Sequence, residues 1–215
     1  MKRIILPMMV IALIMSAFTV VHEDLHQAMN KMMQKMKSME MTGDPDKDFA
    51  MMMIEHHQGA IDAAKIVAKS GKDQKIKDMA QKTLRTQPED QKELRKHTNM
   101  EHDQNATAKK DDSHAAHSQS TDANVSSAHS DQFTGEMNAF MKDMETKMKN
   151  MKMTGNLDHD FATMMIDHHQ GAIEMAEIEK KHGKIQDVKT LAEKIITDSQ
   201  KDISELKTWL SSHDK

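Results

Sequence analysis

Two stretches of this chain are near copies of each other. Asp46 to Ile61 reads DKDFAMMMIEHHQGAI and Asp158 to Ile173 reads DHDFATMMIDHHQGAI, identical at 13 of 16 positions and offset by 112 residues. The offset continues without a gap on both sides. Met29, Met32, Met36, Met39 and Met41 recur as Met141, Met144, Met148, Met151 and Met153, and Thr42-Gly43 recurs as Thr154-Gly155. Gly71-Lys72 recurs as Gly183-Lys184, and Ala80, Lys82 and Leu94 recur as Ala192, Lys194 and Leu206. A duplication of this extent restricts the architecture to two copies of one supersecondary unit. The 215 residues accommodate two such units, read here as 22–102 and 132–215.

Each copy reads as three helices. The first spans about residues 22–41 and stops at Thr-Gly. The second starts near Asp46 or Asp158, acids suited to a helix N-terminus. It ends at Gly71 or Gly183, read as C-cap glycines. The third spans about 73–97 in one copy and 185–211 in the other. Pro88 in the first copy stands where the second has Gln200, which predicts a kink or break. No segment alternates with period two or carries a β-branched run between turn signals, so the fold class is all-α.

The helical spacing gathers soft ligands. Positions i and i+4 share a helix face, so Met52 pairs with His56 and Met53 with His57. Met164 with His168 and Met165 with His169 repeat the arrangement. Met29, Met32, Met36 and Met39 form a stripe on the first helix, as do Met141, Met144, Met148 and Met151 in the second copy. If the first and second helices of a copy pack antiparallel, stripe meets pairs and encloses a pocket of sulfur and imidazole. Thioether is a poor ligand for zinc, iron or magnesium and a good one for Cu(I) and Ag(I). Glu55 and Asp167, beside the histidine pairs, either orient an imidazole or face solvent. Methionine at helical spacing is also common core filler or a docking surface, but that reading leaves the paired histidines of both copies unexplained. Gln58-Gly59-Ala60 and Gln170-Gly171-Ala172 read as small surfaces permitting close helix approach.

Composition agrees with an exported soft-metal protein. There are 24 Met, no Cys and only 3% aromatic residues, and the net charge of −4 gives no sign of nucleic-acid binding. Thioethers, unlike thiols, cannot form disulfides in an oxidising compartment and bind metal without losing a proton. Met1-Lys2-Arg3 followed by apolar Ile4 to Val21 looks like an export signal, with an uncleaved membrane anchor as the alternative. The Ser-, Ala-, Asp- and Asn-rich stretch 103–131 reads as a disordered linker. Its histidines, with His102 just before it, suit either a polar spacer or a weak metal tether. No Glu-x-x-His pair for a di-iron bundle, nucleophile elbow or phosphate loop is present.

The motif Asp-Phe-Ala-x-Met-Met-Ile-[Glu/Asp]-His-His-Gln-Gly-Ala-Ile closely resembles the domain-of-unknown-function 305 family, over both copies and most of the chain. The resemblance implies a ferritin-like helical bundle. It also implies a periplasmic or otherwise exported copper- or silver-binding protein of the CopM type, with His56, His57, His168, His169 and the neighbouring methionines at the metal. The expectation is therefore a non-enzymatic protein that sequesters or transfers Cu(I), with Ag(I) or Cu(II) as further ions, for metal tolerance. Its partners would be metal ions and copper donor or acceptor proteins, with no nucleic acid, and with a membrane only through an uncleaved N-terminal segment. Alternatives are a Met-rich helical module that docks a partner without metal, and a copper-dependent oxidase.

Overall fold

The computed structural model describes residues 24–98 and 122–213. The expected leader at 1–21 lies outside the described residues. So do most of the expected linker, with His102, His114 and His117, and the side chains of 122–129, His129 among them. Six helices carry the described chain: α1 over residues 24–37, α2 Pro45–Ser70, α3 Gln74–Thr98, α4 Asp122–Asn150, α5 Leu157–His182 and α6 Gln186–His213. No strand occurs among the described residues. The molecule is thus an all-α bundle made of two three-helix repeats. No helix among the described residues is long and apolar enough to cross a membrane.

The duplicated turn before α2 and α5 shows how the sequence positions the motif. Asp48 accepts hydrogen bonds from the Thr42 amide and hydroxyl, both at 2.8 Å, and from the Gly43 amide at 3.0 Å. Asp160 repeats this with Thr154, at 2.7 Å twice, and with Gly155 at 3.2 Å. Gly43 and Gly155 both have φ of 83°, a left-handed conformation that disfavours any side chain. Asp44 and Asn156 then cap the helices that follow. This turn draws the chain out of the helix early. α1 ends at residue 37 and α4 at Asn150, so Met39 and Met151 sit in connections rather than on the helical stripe assigned to them.

Gly71 and Gly183 do follow the ends of α2 and α5, but with φ of −62°. They are therefore not left-handed caps. Space is what each position requires. A Cβ on Gly71 would fall 2.8 Å from Asp158 Oδ1, and one on Gly183 would fall 1.9 Å from Glu179 Oε1. Helix α3 runs unbroken through Pro88. Helix α4 begins at Asp122, inside the stretch read as linker; no Gly or Pro between Asp122 and Gln132 interrupts it, and Ser130 Oγ donates to the Gly43 carbonyl at 2.9 Å.

The two repeats are one body, related by an approximate two-fold axis between α2 and α5. Their contacts are reciprocal at the 112-residue offset. Asp46 accepts from the Lys184 amide at 2.9 Å and the Ile185 amide at 2.8 Å. Asp158 accepts from the Lys72 amide at 3.0 Å and the Asp73 amide at 3.1 Å. Lys194 pairs with Asp90 at 2.9 Å, and Lys82 pairs with Asp202. The acids expected only to favour a helix start thus also bind the opposite repeat. One continuous core spans both copies, from Phe49 and Met53 to Phe161 and Met165.

Candidate metal centre

The motif histidines lie at the two-fold axis. His56 and His168 stack with ring centroids 3.8 Å apart and planes 26° apart. His168 Nε2 lies 2.9 Å from the His56 carbonyl oxygen. His57 and His169 flank this pair on the outer strips of α2 and α5. All four rings are buried, none more than 6% exposed. Both nitrogens of His56 and of His57, and Nδ1 of His168, have no hydrogen-bond partner among the described residues. Buried imidazole nitrogens without partners are costly and rare in a folded protein.

Burial keeps these rings neutral. It pushes His57, His168 and His169 from the ordinary 6.5 down to about 3, with the neighbouring imidazoles and lysines adding to the effect. Burial likewise holds His56 well below 6.5, reinforced by His168. Neutral imidazole is the metal-binding form. His57 Nε2 is 3.8 Å from Asp90 Oδ2, and His169 Nε2 is 3.9 Å from Asp202 Oδ2. These contacts are too long for hydrogen bonds, and a neutral ring makes no ion pair. Asp90 and Asp202 are instead occupied by the lysines of the opposite repeat.

The methionines enclose two cavities, each built from both repeats. The first, about 30 Å³, is lined by His26, Met29 and Met32 of α1, and by Met144, Met148, Met151 and Met153 of α4 and the connection after it. Met164, Asp167 and His168 of α5 close it beside Lys147. The second, about 230 Å³, is lined by Met36, Met39, Met41 and Met52 of the first repeat and by Met137, Asn138 and Met141 of the second. At the 112-residue offset Met29 corresponds to Met141, Met148 to Met36 and Met164 to Met52, so the cavities are quasi-equivalent. The stripe of one copy meets the second helix of the other, not only that of its own copy. Glycine in the motif permits the close approach of each stripe to the second helix of its own copy. A Cβ on Gly59 would lie 2.6 Å from Met32 Sδ, and one on Gly171 would lie 2.5 Å from Met144 Cε.

The sixteen residues singled out from sequence therefore divide. Met29, Met32, Met144, Met148, Met151, Met164 and His168 face the smaller cavity, and Met36, Met39, Met52 and Met141 face the larger. Met53 and Met165, with His56, His57 and His169, are buried and line neither. Glu55 pairs with Lys35 at 2.8 Å, and Asp167 lies at the cavity edge; neither bonds to an imidazole among the described residues. Sequence reasoning missed His26, Met41, Met137 and Met153 at the cavities, and Asp90 and Asp202 beside the outer histidines. The offset that aligned Lys82 with Lys194 also aligns Asp90 with Asp202, and that was the available signal. Among the described residues no group of three or more His, Cys, Asp or Glu is placed to hold a metal ion. Any chelation here thus draws on thioether sulfur, which suits a soft ion.

A family model described as Domain of unknown function (DUF305) matches residues 14–98 and, again, residues 46–210. No curated protein and no solved structure matches the chain.

Proposed function

The chain belongs to the domain-of-unknown-function 305 family, a description that carries no activity, and we propose from the site itself that it is an exported protein that sequesters Cu(I), and also Ag(I), through methionine and histidine. One observation carries the reading. Four buried, neutral imidazoles cluster where α2 meets α5, several without a hydrogen-bond partner among the described residues, and one of them, His168, opens onto a methionine-lined cavity. Thioether sulfur binds soft monovalent ions, and neutral imidazole adds a ligand without losing a proton. The methionines differ in exposure in a way that suits capture. Met39, Met41, Met148, Met151 and Met153 are partly exposed, whereas Met29, Met32, Met52 and Met164 lie deeper. An ion meets the outer thioethers first and is held by the inner ones. Placement of most of the methionines inside the bundle also favours metal over a docked partner helix, which requires an exposed groove.

The CopM-like resemblance and the export signal in the sequence agree with a role in metal tolerance outside the cytoplasm. Substituting His56, His57, His168 and His169 together by Gln should lower Cu(I) stoichiometry or affinity while leaving the protein helical. The assay is titration of the reduced protein with Cu(I) against a chromogenic chelator, with Zn(II) as control. An unchanged titration removes those four residues from the site. Absence of any tight Cu(I) binding in the unaltered protein removes the metal reading and returns the methionines to packing.

A further inference from the structure

The two cavities are related by the repeat but are not chemically alike. His26 at the first corresponds to Asn138 at the second. Imidazole is a metal ligand, whereas a carboxamide oxygen is a hard donor that a soft ion ignores. Their sizes differ as well, about 30 Å³ against about 230 Å³, so the first leaves less open space for its ligands to close over an ion. Ligands gathered before binding need less ordering when the ion arrives. His26 also has a positioning partner, since the Asn30 side-chain Nδ2 lies 2.8 Å from its Nδ1 and holds the ring in place at the cavity.

We infer that the two cavities are inequivalent soft-metal sites. The cavity holding His26 binds Cu(I) or Ag(I) through imidazole nitrogen as well as sulfur and fills first, and the one holding Asn138 binds through sulfur and fills second. This rests on the proposed soft-metal function and adds an order of filling, with His26 as the residue that sets it. Removing the partner of a metal ligand commonly costs roughly 10–100-fold in affinity, and removing a ligand costs at least as much. The expected gap between the sites is therefore about tenfold or more.

Ag(I) is the probe, since it is redox-inert and diamagnetic. The full chain carrying methionine labelled with ¹³C at its methyl groups is titrated with Ag(I) in the presence of a competing ligand and followed by NMR. The methyls of Met148 and Met153 should saturate before those of Met36 and Met41. His26→Asn should narrow the gap between the two classes, with His168 still at the first cavity, and Asn138→His should draw the second site toward the first. Both positions lie at the rim, half-buried at His26 and exposed at Asn138, so both variants should keep the melting temperature of the unaltered protein. Simultaneous saturation in the unaltered chain, or a gap that His26→Asn leaves unchanged, overturns this inference and leaves the soft-metal function standing. No methyl shift at any Ag(I) concentration overturns the function itself.

Discussion

Acidification of the metal-free protein should cost it a large part of its stability, and the buried histidines set the size of the loss. In an unfolded chain each imidazole titrates near 6.5. In the fold His57, His168 and His169 stay neutral down to about 3, and His56 is held well below 6.5 by the same burial. Between those values the unfolded state holds more protons. The stability is therefore present above pH 6.5 and lost as the pH falls. At pH 5 an imidazole neutral in the fold and free to charge when unfolded costs about 2 kcal/mol, so His57, His168 and His169 cost roughly 6 kcal/mol, and His56 acts in the same direction. Glu179 opposes them. Buried and next to Asp46, it is pushed up from 4.5 to about 9. The fold holds that proton through neutrality, so lowering the pH from 7 to 5 returns about 3 kcal/mol. Asp90, Asp167 and Asp202, also raised by burial, act in the same direction as Glu179. The histidines win by about 3 kcal/mol before His56 is added, against a total of roughly 5–15 kcal/mol for a typical domain. Guanidinium unfolding followed by helical circular dichroism at pH 7, 6 and 5, with a chelator present, measures this directly. Glu179→Gln should steepen the loss toward roughly 6 kcal/mol. A midpoint that does not move between pH 7 and 5 would refute the reasoning, because it would mean that the folded protein protonates these rings freely.

Other outcomes follow from the geometry. Gly59→Ala should destabilise by roughly 1–3 kcal/mol, because its Cβ meets the Met32 stem, with Cβ and Cγ both at 2.9 Å. Gly171→Ala should cost less, since its closest neighbour is the mobile Met144 methyl; thermal melts of the two variants would show the order. Asp158→Asn, which weakens two amide hydrogen bonds to the opposite repeat, should lower stability by roughly 1.5–3 kcal/mol. Asp46→Asn should cost less by the same measurement, because it also relieves the charge beside Glu179. Peroxide should oxidise Met148, Met151 and Met153 in the metal-free protein and spare them once Ag(I) is bound, as peptide mass analysis would detect. Equal oxidation with and without Ag(I) would place these thioethers outside any metal site.

Helix boundaries were legible because the chain marks them with local chemistry. Asp44 and Asn156 cap, Thr-Gly turns the chain, and Gly71 and Gly183 end the second helices within a residue of expectation. Such signals act over a few bonds, so sequence order carries them. The reason for the glycines was less legible. At Gly71 and Gly183 the constraint is space rather than a backbone angle: Val67 O and the Asp158 carboxylate of the other repeat crowd the first, and the Glu179 side chain crowds the second. The composition of the pockets was hidden by the repeat itself. Periodicity shows that the stripe from Met29 is buried, but two nearly identical partners exist and either satisfies the pattern. Reciprocal bonds such as Asp46 to Lys184 lock the repeats together across 138 residues of sequence. His26 escaped notice because it has no counterpart in the other copy, and the search followed what was copied.

The reciprocity between the repeats also bears on what a single chain makes possible. The contacts from Asp46 and Asp158, and from Lys82 and Lys194, are those an isologous dimer would make with its twin. In such a dimer both halves carry one sequence, so every residue at one mouth is imposed on the other. Joining the halves replaces an encounter between molecules by a tether, with the local concentration set by the connecting segment. It also ends the obligation to match. A histidine can stand at one entrance and an asparagine at the other, a combination that no assembly of identical subunits can encode.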